Sequence, residues 1–259
     1  MRLLVSVAHA DEVEAALAGG ADIVDAKDPL RGALGAVSPS VLGAIARALG
    51  GRRPLSVALG DASESASLDG RVARAGAAAA TYVKIGFMGI HDVRQVRSLA
   101  AAAIAGAGDS IGSPRVILVT YADRAGDDCV GVEEIIDASA DVGAAGVLLD
   151  TAGKDAGTLW SFLSADAVAG WIERAHRAGL LAAVAGSLDV AGIRVVARLG
   201  ADVAGVRGAA CIGGRAGRVS AARVATLAAC AREADSHRST GAAFSASAAR
   251  EKSPSELSS

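Results

Sequence analysis

DEVEAALAGGADIVDAK, residues 11–27, decides the fold. Its first ten residues carry the apolar periodicity of an amphipathic helix, the paired glycines mark a C-cap, and the run 23–27 is a short β-branched strand. Working outward, the same unit recurs along the chain. Strand-like runs fall at 3–7, 23–27, 55–59, 82–85, 116–121, 147–150, 181–185 and 203–207, with helical patterns over 39–49, 93–106, 132–143 and 166–179 among them. Eight strands alternating with helices predict an α/β fold, a (β/α)8 TIM barrel that closes its parallel sheet and covers it with helices. An open doubly wound sheet is the alternative. It calls for a glycine-rich turn after the first strand, and VSVAHADEVE, residues 5–14, has none.

The 259 residues fit one such barrel. The reading assigns 1–234 to a single catalytic domain and 235–259, where Ser, Ala and scattered charge take over, to a flexible tail outside it. Apolar residues make up 52% of the chain but aromatics only 3%, so the core has to be built from Ala, Val, Leu and Ile. That composition excludes a disordered chain and a disulfide scaffold. A formal charge of −2 argues against a nucleic-acid surface. No long uncharged apolar run suggests a membrane segment, and the expected setting is the cytoplasm. Cys129, Cys211 and Cys230 are far apart, with no metal-ligand spacing, so neither a metal nor another cofactor is expected. The expected partner is a small-molecule substrate, with homo-oligomerisation left open.

The basic residues divide unevenly, into 22 Arg and only four Lys, at 27, 84, 154 and 252. Arg is the default cation here, so each Lys invites a reason; only Lys can shed its proton and serve as an amine. Three of the four sit at or just beyond strand ends, where barrels place their chemistry. Lys27 and Lys84 belong to strands two and four and Asp150 to strand six, so they can converge at the mouth. Asp25 shares a strand face with Lys27. Such a set suits Schiff-base chemistry, in which one amine attacks a carbonyl, a neighbouring ammonium lowers its pKa, and carboxylates shuttle protons. The plainer reading is a set of interior salt bridges, Lys27 to Asp25 or Lys84 to Asp150.

The last two strands run into VAGSL, 184–188, and GVRGAACIGG, 205–214. Loops seven and eight of a barrel commonly hold phosphate, with glycine letting the backbone approach the anion. Gly186, Ser187, Gly208 and Ala209 are the expected cradle, with Arg207 or Arg215 as the charged clamp; tight turns use the same residues. The four histidines occur singly, Trp160 and Trp171 read as helix packing, and the Asp127–Asp128 pair as solvated loop.

Five segments carry a resemblance: ADIVDAKDPLRGALGA (21–36), YVKIGFMG (82–89), LLDTAGKDAGTLWSFL (148–163), GLLAAVAGSL (179–188) and DVAGVRGAACIGG (202–214). They resemble the (5-formylfuran-3-yl)methyl phosphate synthases, also called 4-(hydroxymethyl)-2-furancarboxaldehyde-phosphate synthases, from about residue 2 to 232. The resemblance implies a (β/α)8 lyase that joins two molecules of glyceraldehyde 3-phosphate into a phosphorylated furan aldehyde, releasing phosphate and water, for methanofuran-type one-carbon carriers. It implies Lys27 as the Schiff-base residue, Lys84 as proton acceptor, and Asp25, Asp150 and Lys154 as further active-site groups. The competing readings are a class I aldolase or transaldolase acting on triose phosphates and a non-catalytic phosphosugar-binding barrel.

Overall fold

The computed structural model describes residues 1–63, 68–110, 112–124, 128–153 and 157–233. Lys154, Asp127 and the tail beyond Glu233 lie outside them. Eight strands, β1 (Arg2–Val7), β2 (Ile23–Ala26), β3 (Leu55–Asp61), β4 (Tyr82–Gly86), β5 (Arg115–Tyr121), β6 (Gly146–Asp150), β7 (Leu181–Val184) and β8 (Val203–Val206), form a closed parallel barrel in sequence order. The ring closes where β1 pairs with β8, with Leu4 opposite Gly205. Outside it pack α1 (Val13–Ala18), α2 (Pro39–Leu49), α3 (Leu68–Ala77), α4 (Val93–Gly108), α5 (Glu134–Asp141), α6 (Ala165–Arg177), α7 (Val190–Leu199) and α8 (221–233). A two-stranded ribbon, β9 (Cys211–Ile212) with β10 (Arg218–Val219), follows β8. This is the (β/α)8 TIM barrel expected from the alternation.

Local chemistry sets the element ends. Ser38 caps α2, its hydroxyl accepting from Val41 N at 3.3 Å with Pro39 in the first turn, and Gly50 ends the helix in the left-handed region at φ 58°. Asp189 caps α7 by accepting from Gly192 N at 2.8 Å. The helix expected from residue 11 starts two residues later, after a 3-10 turn over Ala10–Glu12. The cause is Glu12, whose buried carboxylate folds back to accept from Ala8 N at 2.7 Å.

Two apolar layers result. The larger lies between the helices and the outer face of the barrel, where Ile45, Val96, Ile135, Val168 and Ile193 are fully buried or nearly so. The smaller lies inside the barrel and includes Leu4, Ile23, Tyr82, Ile117, Leu148 and Val203. Trp171 packs α6 in the expected way, its indole N–H donating to Val132 O at 2.8 Å. Among the described residues no helix is long and apolar enough to cross a membrane.

Candidate active site

Strand pairing puts the polar groups of the barrel side by side. Ser6 on β1 lies opposite Asp25 on β2, and Asp25 opposite Ser56 on β3, so the three share one inward-facing row. Asp25 is fully buried. Its Oδ2 accepts from Ser6 Oγ at 2.8 Å and from Lys84 Nζ, reaching over from β4, at 2.8 Å. Burial alone would raise the Asp25 pKa. The ammonium groups of Lys84 and Lys27, with the hydrogen bonds from Lys84 and Ser6, outweigh it and hold the carboxyl below the usual carboxylate range. Lys84 thus forms an interior ion pair with Asp25, a pairing that the sequence reading did not name.

Lys27 directly follows β2 and is only 7% exposed; Asp150 ends β6 and is 2% exposed. Asp150 Oδ1 accepts from Thr151 N at 2.8 Å, which fixes its rotamer. Lys27, Lys84 and Asp150 all line one cavity of about 360 Å³, with Asp25 set behind the wall under Lys84. A cavity of this size suits a small phosphorylated ligand. Two amines, one buried carboxylate locked to the second of them and another carboxylate across the mouth form a set that can make and protonate an imine.

The loops after β7 and β8 line the same cavity, bringing Gly186, Ser187, Arg207, Gly208, Ala209 and Arg215 to its rim. Ser187 adopts φ 55°, unusual for a residue with a side chain, next to Gly186 at φ 102°. Arg207 departs from the clamp expected of it. Its Nη1 donates to Glu12 Oε2 at 2.7 Å and Ser6 O at 3.0 Å, its Nη2 to Glu12 Oε1 at 3.0 Å and Gly217 O at 2.7 Å, and its Nε to Arg215 O at 3.1 Å. All five N–H groups are engaged, so this guanidinium braces β8 against β1. Arg215 instead spans the mouth, donating to Pro29 O at 3.2 Å and Gly32 O at 2.8 Å in the loop beyond Lys27.

Several polar groups escaped the sequence reading. Ser6 and Ser56 are single hydroxyls within apolar strands, and only the register shows them beside Asp25. Asp61 and Tyr121 meet at the ends of β3 and β5, where Tyr121 OH donates to Asp61 Oδ1 at 2.9 Å. Burial and the Asp61 carboxylate push the Tyr121 phenol well above its ordinary range. Burial pushes the Cys129 thiol up to about 11 and the Cys211 thiol upward as well, which disfavours the thiolate at both. Among the described residues, no His, Cys, Asp and Glu cluster forms a metal-binding group.

Comparison with known proteins adds an independent line. Residues 3–228 match the family model described as 4-HFC-P synthase. A (5-formylfuran-3-yl)methyl phosphate synthase of Methanopyrus kandleri is 36% identical over 208 residues, 77% of this chain and 85% of its own length. The enzyme of that name from Methanocaldococcus jannaschii is 34% identical over 215 residues, 83% of this chain and 92% of its own. Among solved structures, 3-hexulose-6-phosphate synthase from Salmonella typhimurium superposes with a TM-score of 0.64 over 90% of this chain and 100% of that one. Its 16% identity makes this a likeness of fold alone.

Proposed function

The chain belongs to the 4-HFC-P synthase family, and we propose that it joins two molecules of glyceraldehyde 3-phosphate through a lysine Schiff base into (5-formylfuran-3-yl)methyl phosphate, with loss of one phosphate and two waters. The observation that carries this reading is the buried Lys84–Asp25 pair, whose lysine lines with Lys27 a cavity that reaches the carboxyl end of the barrel. The activity is that of a carbon–oxygen lyase, and its product supplies a methanofuran-type carrier. It works in the cytoplasm without a cofactor.

Each residue has a part. The Lys27 amine adds to the aldehyde of one triose phosphate, and loss of water gives the iminium. Lys84 gives its ammonium proton to the carbinolamine oxygen that leaves as water and then, as the free amine, takes the proton from the adjacent carbon, converting the iminium to an enamine that attacks the second aldehyde. Asp25 holds the Lys84 ammonium in place, and Asp150 passes protons during the dehydrations. Elimination of one phosphate, closure of the ring through oxygen and release of the Lys27 amine as oxygen replaces it on carbon complete the furan, whose aromaticity makes the late steps hard to reverse. Lys154 receives the departing phosphate. The retained phosphate rests on the amides of Gly186, Ser187, Gly208 and Ala209, with Arg215 nearby and Arg207 stiffening the loop.

The test is to incubate the purified protein with glyceraldehyde 3-phosphate and follow furan aldehyde by mass spectrometry alongside inorganic phosphate. One phosphate per furan, with borohydride fixing the sugar phosphate on the Lys27 peptide, is the expected outcome. A six-carbon bisphosphate with no phosphate released would make the protein an aldolase. Binding with neither product nor borohydride adduct would make it a phosphosugar-binding barrel.

A further inference from the structure

The cavity does not stop at the lysines. Its lining includes Ile23, Tyr82, Leu181 and Val203, the first residues of β2, β4, β7 and β8, as well as Asp150 at the end of β6. It therefore runs the length of the barrel, whereas barrels of this kind usually fill their interior with stacked layers of bulky side chains. Small residues make the room: Ala183 and Gly205 line the shaft on β7 and β8. An added Cβ at Gly205 would lie 3.3 Å from Ala185 Cβ and 3.8 Å from Leu4 Cδ2, against the wall of the shaft.

The two ends differ in chemistry. The upper part carries Lys27, Lys84, Asp150 and Arg215, whereas the lower part is walled by Leu4, Ile23, Ile117, Leu148 and Val203. Tyr82 contributes to the floor, its hydroxyl accepting from Arg2 Nη1 at 3.2 Å and Arg115 lying 5.6 Å from its ring. Ser56, 1% exposed, lines the cavity, and its Oγ has no hydrogen-bond partner. A buried hydroxyl without a partner is costly and is a place for a ligand oxygen.

We infer that this lower chamber is a binding pocket for a flat, uncharged, oxygen-bearing five-membered ring, with Ser56 donating to one of the ring substituents or to the ring oxygen. The inference rests on the synthase reading for its role in the reaction. A triose phosphate carries hydroxyls and a dianion that an apolar chamber rejects, so the substrates are held at the mouth. Each dehydration strips a hydroxyl, and the nascent furan fits the chamber better than anything before it. The chamber then favours the late, product-like states over the bound trioses, which is where differential binding accelerates a reaction.

The test uses furfuryl alcohol, which has the ring but neither the phosphate nor a carbonyl able to react with an amine. Binding is followed by saturation-transfer NMR and calorimetry in the full-length wild type, Ala183→Leu, which fills the shaft, and Ser56→Ala, which removes one oxygen and should leave the fold unchanged. The expected result is binding in the wild type, none in Ala183→Leu, and affinity in Ser56→Ala weaker by about fivefold, as for one neutral hydrogen bond. With glyceraldehyde 3-phosphate, both variants should keep borohydride trapping on Lys27, while furan formation falls about fivefold or more. Failure of furfuryl alcohol to bind the wild type, or undiminished furan formation in Ser56→Ala and in folded Ala183→Leu, would overturn the chamber and leave the synthase reading intact. Ring binding abolished in Ala183→Leu, in a wild type that makes no furan from glyceraldehyde 3-phosphate, would keep the pocket and overturn the synthase reading.

Discussion

Lys84 Nζ lies 2.8 Å from Asp25 Oδ2 inside the barrel, and neither side chain is more than 5% exposed. A pair so deep is a poor source of net stability, because desolvating both charges offsets most of their attraction. Its use is to fix a charged amine at one place within reach of Lys27. Asp25→Asn keeps the shape and removes the negative charge, leaving two ammonium groups in a buried space. Breaking a buried pair this way costs about 3–5 kcal/mol, and thermal unfolding should move down on the order of 10 °C. Furan formation should fall by about 10²-fold, as for loss of a positioned proton-transfer group. Turnover unchanged in a destabilised Asp25→Asn would reduce the pair to scaffolding.

Lys27→Arg tests the amine. The substitution keeps the positive charge that helps hold Asp25 ionised, but a guanidinium stays protonated and forms no imine. Overpacking a residue only 7% exposed costs about 1–3 kcal/mol, so the variant should fold. Both furan formation and the borohydride adduct should disappear. An adduct that persists in Lys27→Arg would move the Schiff base to another lysine.

The closure of the barrel carries an acid dependence. Burial raises the Glu12 pKa, but the hydrogen bonds and charge of Arg207, with the amides of Ala8 and Val219, more than compensate and hold it below the ordinary glutamate range. A carboxyl lowered on folding contributes stability that is present above its unfolded pKa and lost as pH falls through the folded one. Asp25 is lowered as well, so both act in the same direction. The melting temperature should be flat near neutrality and fall steeply at pH values below about 4. Glu12→Gln should melt lower at pH 7, by about 3–5 kcal/mol for the orphaned Arg207, and should lose less on acidification than the wild type. Parallel melting curves against pH for the two proteins would exclude Glu12 as a source of the slope.

The strand alternation, the eight-stranded closure and the gathering of Lys27, Lys84 and Asp150 on one cavity were legible because each rests on a local signal: β-branched runs, glycine stops, and lysines that stand out where Arg is the default cation. The helix α7 was less plain. Its sequence VAGIRVVARL is rich in β-branched residues, and its identity comes from the Asp189 cap and packing against the barrel. From sequence alone Arg207 and Arg215 are equal candidates for the clamp, because the partner of Arg207, Glu12, lies 195 positions away and meets it only when β8 closes on β1. Ser6, Ser56 and the Asp61–Tyr121 pair were out of reach for the same reason, since strand register and closure bring them together.

Gly86 ends β4 where Asp61 and Tyr121 crowd in. An added Cβ would collide with Asp61 Oδ1 and with Tyr121 OH, and would lie 2.9 Å from Leu34 Cδ1. Glycine is required there by close approach, since the Tyr121–Asp61 hydrogen bond and the bond from Met88 N to Asp61 Oδ1 at 3.0 Å occupy the space. Gly86→Ala should therefore destabilise by about 1–3 kcal/mol, as overpacking does. Tyr121→Phe deletes the hydroxyl and leaves a cleft for the new methyl, at the cost of one acceptor bond on Asp61. The double variant should be more stable than the sum of the single losses, with a coupling of about 0.5–3 kcal/mol, the range found for side chains in contact. Denaturant titrations of the four proteins measure it. Additive losses would mean that Tyr121 OH does not set the limit on Gly86, and that the obstruction is Asp61 or Leu34.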